Sequence, residues 1–158
     1  MVRLVSLDTS STKTGWALYE NGILKESGLI DLTKSKDTEL RLLNMCIEIK
    51  NLLALTLPQI VVCEMVVISN NTSTQRMLSE IVGAVRGYSL FLGAEFYEYR
   101  PTIWRKLIAD KNEKIPIKRA DCKTWAVNKV EKIYNKKCSD DEAESILIGL
   151  AHINYLKG

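Results

Sequence analysis

Histidine is almost missing from this chain, one in 158 residues, and its four cysteines never approach a C-x-x-C spacing. Cys46, Cys63, Cys122 and Cys138 stand far apart. A zinc site wants close cysteine pairs or accompanying histidines, so reduced thiols, buried or incidental, are the expectation. Long hydrophobic runs are lacking too: charges interrupt every apolar stretch well before it could cross a bilayer. The N-terminus has no basic head followed by an apolar stretch, which argues against a secretory leader. Met1 leads straight into a strand pattern, so a complete chain in the cytoplasm is expected. Repeats, low-complexity tracts and internal linkers are absent from the sequence. With 46% of residues hydrophobic, the chain is long enough to bury a core, and residues 1–158 read as one domain.

Charge is present in both signs but unevenly placed. Between Arg100 and Lys137 there are 12 Lys/Arg against four acids, a net +8, which leaves −5 on the rest of a chain whose total is +3. A local excess of this kind suits a phosphate backbone, although solvated helix faces would produce the same count.

The hydrophobic pattern predicts an opening of three antiparallel strands. Arg3 to Asp8 reads as a buried strand, Thr9 to Thr14 as a Ser/Thr-rich turn, and Gly15 to Tyr19 as a second strand. Asn21-Gly22 is a two-residue hairpin signal, because both positions tolerate positive φ, and Ile23 to Ile30 returns as the third strand. Apolar residues at helical spacing then predict a helix over Thr38 to Leu55, with Pro58 ending the connection. Gln59 to Glu64 is short and continuously apolar, as suits a central strand covered on both faces. A polar loop over Ser69 to Thr74, a long helix over Thr74 to Leu92 and a short strand over Phe96 to Tyr99 follow. Three helices close the chain: one from Pro101, a basic one over Lys118 to Tyr134 with Trp125, Val130 and Ile133 as its inner stripe, and an apolar one over Asp140 to Tyr155. The order β-β-β-α-β-α-β and then helices implies an α/β fold, a mixed five-stranded sheet with helices packed on its faces.

Four acids stand where these apolar runs end or turn. Asp8 closes the first strand, Glu64 closes the fourth, and Asp141 and Glu144 open the last helix. Singly, each has a plain reading: a turn cap, a loop charge, an acid favoured by a helix dipole. As an ordered set they suggest more. Carboxylates crowded at buried strand ends repel unless a cation neutralises them, and convergence of the three segments would make the oxygen cage that Mg²⁺ prefers. Asp140 and Glu142 leave the helix register open by one residue; Asp141 is preferred because it shares a helix face with Glu144 at i, i+3.

The matching segments are Leu7-Asp8-Thr9-Ser10 with Gly15-Trp16-Ala17, then Val61-Val62-Cys63-Glu64, then Asp141-Glu142-Ala143-Glu144-Ser145. In this order they resemble the ribonuclease-H-like nucleases and, within them, the RuvC-type Holliday junction resolvases of small phage or bacterial type. The resemblance spans nearly the whole chain. It implies catalytic and metal-ligating roles for Asp8, Glu64, Asp141 and Glu144, with Glu144 standing where Asp is usual. It also implies two Mg²⁺ per site, replaceable by Mn²⁺, one activating water and the other stabilising the leaving oxygen. The implied activity is a crossover junction endonuclease acting on four-way DNA, leaving 5′-phosphate ends. A homodimer is implied as well, formed near the helix that carries Gly83 and Gly87, since a two-fold junction suits paired sites.

Candidate nucleic-acid contacts follow from position. Thr9, Ser10 and Lys13 lie in the first turn, Asn71, Ser73 and Arg76 in and behind the loop after Glu64, and Lys118, Arg119 and Lys123 on the basic helix leading to the acids. Turn chemistry also explains the first group, and a helix start with Thr72 or Ser73 as N-cap explains the second. Trp104 and Trp125 are read as core aromatics ahead of base-stacking platforms, and His152 as an ordinary helix residue. Gly83, and to a lesser degree Gly87, are expected to pack on their own sheet if not against a second copy. Other branched DNA or structured RNA stands as an alternative substrate, and a non-catalytic junction-binding module as an alternative class. Asp8 to Gly15 also looks like the first phosphate loop of actin-like ATPases and sugar kinases, but no second phosphate motif follows, so no nucleotide cofactor is expected.

Overall fold

The computed structural model describes residues 1–67 and 70–158. Strands β1 (Arg3–Asp8), β2 (Lys13–Glu20) and β3 (Ile23–Asp31) lead into helix α1 (Thr38–Thr56), then β4 (Ile60–Glu64), α2 (Thr72–Phe91) and β5 (Glu95–Tyr99), and three helices close the chain: α3 (Pro101–Ile108), α4 (Arg119–Tyr134) and α5 (Asp140–Lys157). The sheet order is β3-β2-β1-β4-β5. β1 pairs antiparallel with β2 and parallel with β4; β3 extends the antiparallel edge and β5 the parallel one. This is the mixed five-stranded α/β sheet that the hydrophobic pattern predicts.

Strand parity decides which side chains can meet. Along β1, Val5 and Leu7 point to the face covered by α1 and α2, and Leu4 points to the face covered by α5. β4 repeats the division, with Val61 and Cys63 on the first face and Val62 on the second. Asp8 continues the Leu4–Ser6 row and Glu64 continues the Val62 row, so both carboxylates emerge at adjacent strand ends on the α5 side.

Helix α5 lies unusually close to that face because small residues let it. A Cβ on Gly15 would stand 1.9 Å from the Asp141 carbonyl oxygen, and one on Gly149 would stand 2.5 Å from the Tyr19 ring. Two hydroxyls then set the helix's register. Ser6 Oγ donates to the Ser145 carbonyl at 2.7 Å, and Tyr19 OH donates to the Ile146 carbonyl at 2.7 Å. Ten α5 residues from Ala143 to Ile153 are buried, with α3 and α4 packed on the helix's outer side.

Several expectations need correcting. α2 begins at Thr72 and its N-cap is Asn71, whose side chain accepts from the Thr74 N–H at 3.1 Å, so neither Thr72 nor Ser73 caps it. Asn outcompetes them because its carbonyl reaches the N3 amide from the residue before the helix. Ser69, expected in the preceding loop, lies outside the described residues. α4 turns Cys122, Ala126, Lys129 and Val130 inward; Ile133 is 43% exposed and so lies off the inner stripe. Gly83 and Gly87 do not pack on their own sheet, since a Cβ at either would meet nothing within 4 Å. The four cysteines are free, as expected, and among the described residues no helix is long and apolar enough to cross a membrane.

Candidate metal centre

Where β1 and β4 end and α5 begins, carboxylate oxygens of Asp8, Asp141 and Glu144 lie within 4.8 Å of one another. Each comes from a locally determined position. Asp8 is the last residue of β1, paired with Gly15 across the ladder. Asp141 and Glu144 are one helical turn apart at the start of α5, where Ser139 caps the helix by accepting from the Glu142 N–H at 3.3 Å. The acids of the first turn are favoured there by the helix dipole. Asp140 pairs with Lys123 and is not one of the three grouped carboxylates, so the geometry selects Asp141 for the cluster.

Glu64 lines the same cavity, of about 490 Å³, without belonging to the tightest group. Its Oε2 accepts from Trp104 Nε1 at 2.7 Å. Arg105 Nη2 reaches Glu144 Oε1 at 3.3 Å, and Lys123 Nζ stands 3.6 Å from Asp141 Oδ1. Two cations therefore balance part of the negative charge.

Burial nevertheless works against ionisation of these acids. Burial holds the Asp8 carboxyl well above the usual carboxylate range, and the charges of Glu144, Glu64 and Asp141 push it further against the opposing pull of Lys123. Burial also raises Glu64, although the Trp104 hydrogen bond opposes this, and raises Glu144 against Arg105 and Lys123. Burial, which the neighbouring cations do not fully offset, thus leaves three of the four acids less acidic than in water. An all-oxygen donor set converging in a partly buried cavity, with three of its carboxyls raised by burial, fits a hard divalent cation.

The sequence-proposed contact residues divide. Thr9, Ser10, Lys13, Arg119 and Lys123 line the cavity with the four acids. The first turn is also held by its own hydroxyls: Ser10 Oγ accepts from the Thr12 N–H at 3.2 Å and Thr14 Oγ1 donates to the Ser10 carbonyl at 3.0 Å. Asn71, Ser73, Arg76 and Lys118 are not part of the lining; from α2 it takes Thr74, Gln75 and Leu78 instead. Asn71 is a helix cap, Arg76 pairs with Glu80 at 2.7 Å, and Lys118 is the residue before α4. Much of the basic segment is internally paired, with Lys129 bound to Asp110 and Glu113 and Lys132 to Asp110.

Four structural contributors escaped the sequence reading. Gly15 carried a signal, since glycine inside a strand often marks close backbone approach. Trp104 and Arg105 carried none that would have linked them to Glu64 and Glu144. Nor did Ser6, whose hydroxyl reaches across 139 residues. Trp104 is in the core, as expected, and His152 is buried with its Nδ1 2.8 Å from Tyr99 OH.

A mixed sheet with acids gathered at the ends of its first and fourth strands and the start of its last helix defines a ribonuclease-H-like architecture. No family model and no curated protein sequence matches this chain. Solved structures do. Thermus thermophilus RuvC in complex with a Holliday junction substrate is 16% identical with a TM-score of 0.76, over 99% of this chain and 96% of that one. The fowlpox virus resolvase, solved with Holliday junction DNA, is 18% identical with a TM-score of 0.67, over 99% of this chain and 100% of that one. The yeast mitochondrial Holliday junction resolvase Ydc2 is 12% identical with a TM-score of 0.63, over 99% of this chain and 79% of that one. The fold of this chain is the RuvC-type, ribonuclease-H-like fold.

Proposed function

We propose that this chain is a divalent-metal-dependent endonuclease that resolves four-way DNA junctions by phosphodiester hydrolysis, leaving 5′-phosphate ends, and that all 158 residues form its one nuclease domain. The observation that carries the proposal is the meeting of Asp8, Asp141 and Glu144 in one cavity beside Glu64. The likeness to junction resolvases supports the substrate class through the fold.

Asp8, Asp141, Glu144 and Glu64 would hold Mg²⁺, two ions per site, with Mn²⁺ able to substitute. Bound there, such ions supply an activated water and charge stabilisation for the leaving oxygen. The chain's own residues do the rest. Ser6 and Tyr19 lock α5 on the sheet, so that Asp141 and Glu144 stay against Asp8. Arg119 and Lys123 border the acids and would steer a phosphate backbone toward them, with Thr9, Ser10 and Lys13 on the rim. In this reading Asn71, Ser73, Arg76 and Lys118 contact more distant parts of the junction. Bacterial cytoplasm, in a host or phage-encoded form, is the setting it assumes.

A homodimer belongs to the same reading. α2 presents Gly83 and Gly87 to open space beside a shallow apolar groove that includes Ile47 of α1 and Ala84 and Tyr88 of α2, and Phe91 at its end is 81% exposed. A smooth glycine face admits close approach of a second copy, and two-fold pairing would present two active sites to a two-fold junction. Gly87→Ala is expected to raise the monomer's stability by about 1 kcal/mol, because alanine is the better helix former and meets no neighbour. The same change should weaken self-association. Equilibrium sedimentation with thermal melts at low concentration reads both effects, and unchanged association would count against this interface.

The function is tested by incubating purified protein with labelled four-way junction, flap, duplex and RNA substrates in Mg²⁺, beside Glu64→Gln. Preferential junction cutting by the wild type, lost in the variant, is the expected result. Equal cutting by both proteins would point to a wrong site, and binding without cleavage in any divalent metal would favour a binding module.

A further inference from the structure

The indole of Trp104 is fully buried, and its one polar atom is committed. Nε1 donates to Glu64 Oε2 at 2.7 Å, from a ring that has no exposure to solvent. The ring is held by its neighbours. Trp125 of α4 packs at 6.3 Å between centroids, and the Arg105 guanidinium lies 4.9 Å over its centroid. Trp125 is itself anchored, donating through its own Nε1 to Glu113 Oε1 at 2.8 Å, and Glu113 also takes the buried Lys129 ammonium at 2.6 Å.

Packing alone does not require an indole here, since phenylalanine would fill most of the volume and bring no donor to satisfy. What tryptophan adds is one N–H aimed at a strand-end carboxylate. Glutamate has enough rotatable bonds to wander, and ordering it costs entropy each time a ligand is bound. A buried donor on a ring that cannot turn removes that freedom in advance. It occupies one acceptor site on Oε2 and leaves the other lone pairs of Glu64 for a cation. Partners of this kind, outside the ligand sphere, commonly change metal affinity by about 10–100-fold.

We infer that Trp104 is a positioning residue that holds Glu64 for divalent-cation binding beside the Asp8–Asp141–Glu144 cluster. The inference rests on the metal-centre reading above and assigns Trp104 a role beyond the core.

Trp104→Phe keeps the bulk and deletes the donor. Calorimetric titration of the metal-free full chain with Mn²⁺ should show affinity reduced by about 10–100-fold. The Mg²⁺ concentration for half-maximal junction cleavage should rise by the same factor. Junction affinity in metal-free buffer should not change, and excess metal should restore most of the rate. Trp125→Phe provides the control for packing loss, because it leaves the Trp104–Glu64 bond intact; its Mn²⁺ affinity should stay within about two-fold of wild type. Mn²⁺ affinity of Trp104→Phe equal to wild type would overturn the inference while leaving the metal centre standing. Equal weakening by both variants would also overturn it, by tracing the effect to packing. A wild-type chain that takes up no Mn²⁺ would overturn the metal centre, and this inference with it.

Discussion

Asp8→Asn is expected to abolish junction cleavage, by on the order of 10³-fold or more, while making the metal-free protein melt at a higher temperature near neutral pH. The two effects have one cause. Burial at the end of β1 raises the Asp8 carboxyl, the charges of Glu144, Glu64 and Asp141 raise it further, and Lys123 opposes them. The charge that makes the site useful to a cation is a liability without one. A carboxyl raised in the folded state binds its proton more tightly there than in the unfolded chain, so metal-free stability falls as pH climbs through the ordinary carboxylate range toward the raised folded value. Above that value the whole penalty is present; below the unfolded value it vanishes. Asparagine carries no charge and escapes it.

The melting advantage of Asp8→Asn in EDTA should therefore be greatest near neutral pH and shrink as the solution is acidified. In a chain of this size each kcal/mol gained corresponds to about 2–4 °C. Adding Mn²⁺ should reverse the ranking, raising the wild type more than the variant. Differential scanning calorimetry across pH, with and without metal, checks each part. A variant that melts lower than wild type in EDTA at neutral pH would show that Asp8 has a stabilising partner that offsets its crowding.

Gly15→Ala should carry the second large effect, destabilising the fold by about 3 kcal/mol, or roughly 6–12 °C. Alanine at a strand position usually helps slightly through the unfolded chain, by about 0.4–1 kcal/mol. Here sterics decide the sign. The added methyl would lie 1.9 Å from the Asp141 carbonyl oxygen, and that atom is helix backbone, which cannot rotate away. The start of α5 must lift off β2, carrying Asp141 away from Asp8. A displacement of about 1 Å at reacting groups can cost about 10²-fold in rate, so cleavage should fall by that factor even well below the new melting midpoint. Rate and melting temperature measured on the same preparation separate the two losses. Unchanged cleavage by a folded Gly15→Ala would show that the helix can move without disturbing the acids.

The sequence was most legible where periodicity and burial coincide. β1 and β4 were readable because continuous apolar runs end on an acid, and strand parity then places Asp8 and Glu64 on one face. The hairpin at Asn21-Gly22 was readable because both residues take positive φ, 51° and 79°. Asp141 and Glu144 were readable as a turn-spaced pair. What sequence could not supply was the distance between elements. The seating of α5 depends on Gly15, Ser6 and Tyr19 meeting Gly149 and three helix carbonyls, contacts whose partners no local pattern names. The hold on Glu64 comes from Trp104, 40 residues away, and reads locally as one more core aromatic. Charge was legible as a total only. Lys129 counts toward a basic segment, yet it is buried and paired with Asp110 and Glu113.

Crystals grown from or soaked in Mn²⁺, with anomalous diffraction recorded at an energy where manganese scatters strongly, test the central claim most directly. The account predicts anomalous density in contact with carboxylate oxygens of Asp8, Asp141 and Glu144, with Glu64 on the same site, and its disappearance in Asp8→Asn. Manganese bound only at other acids, or none in this cavity at a concentration that supports cleavage, would contradict it.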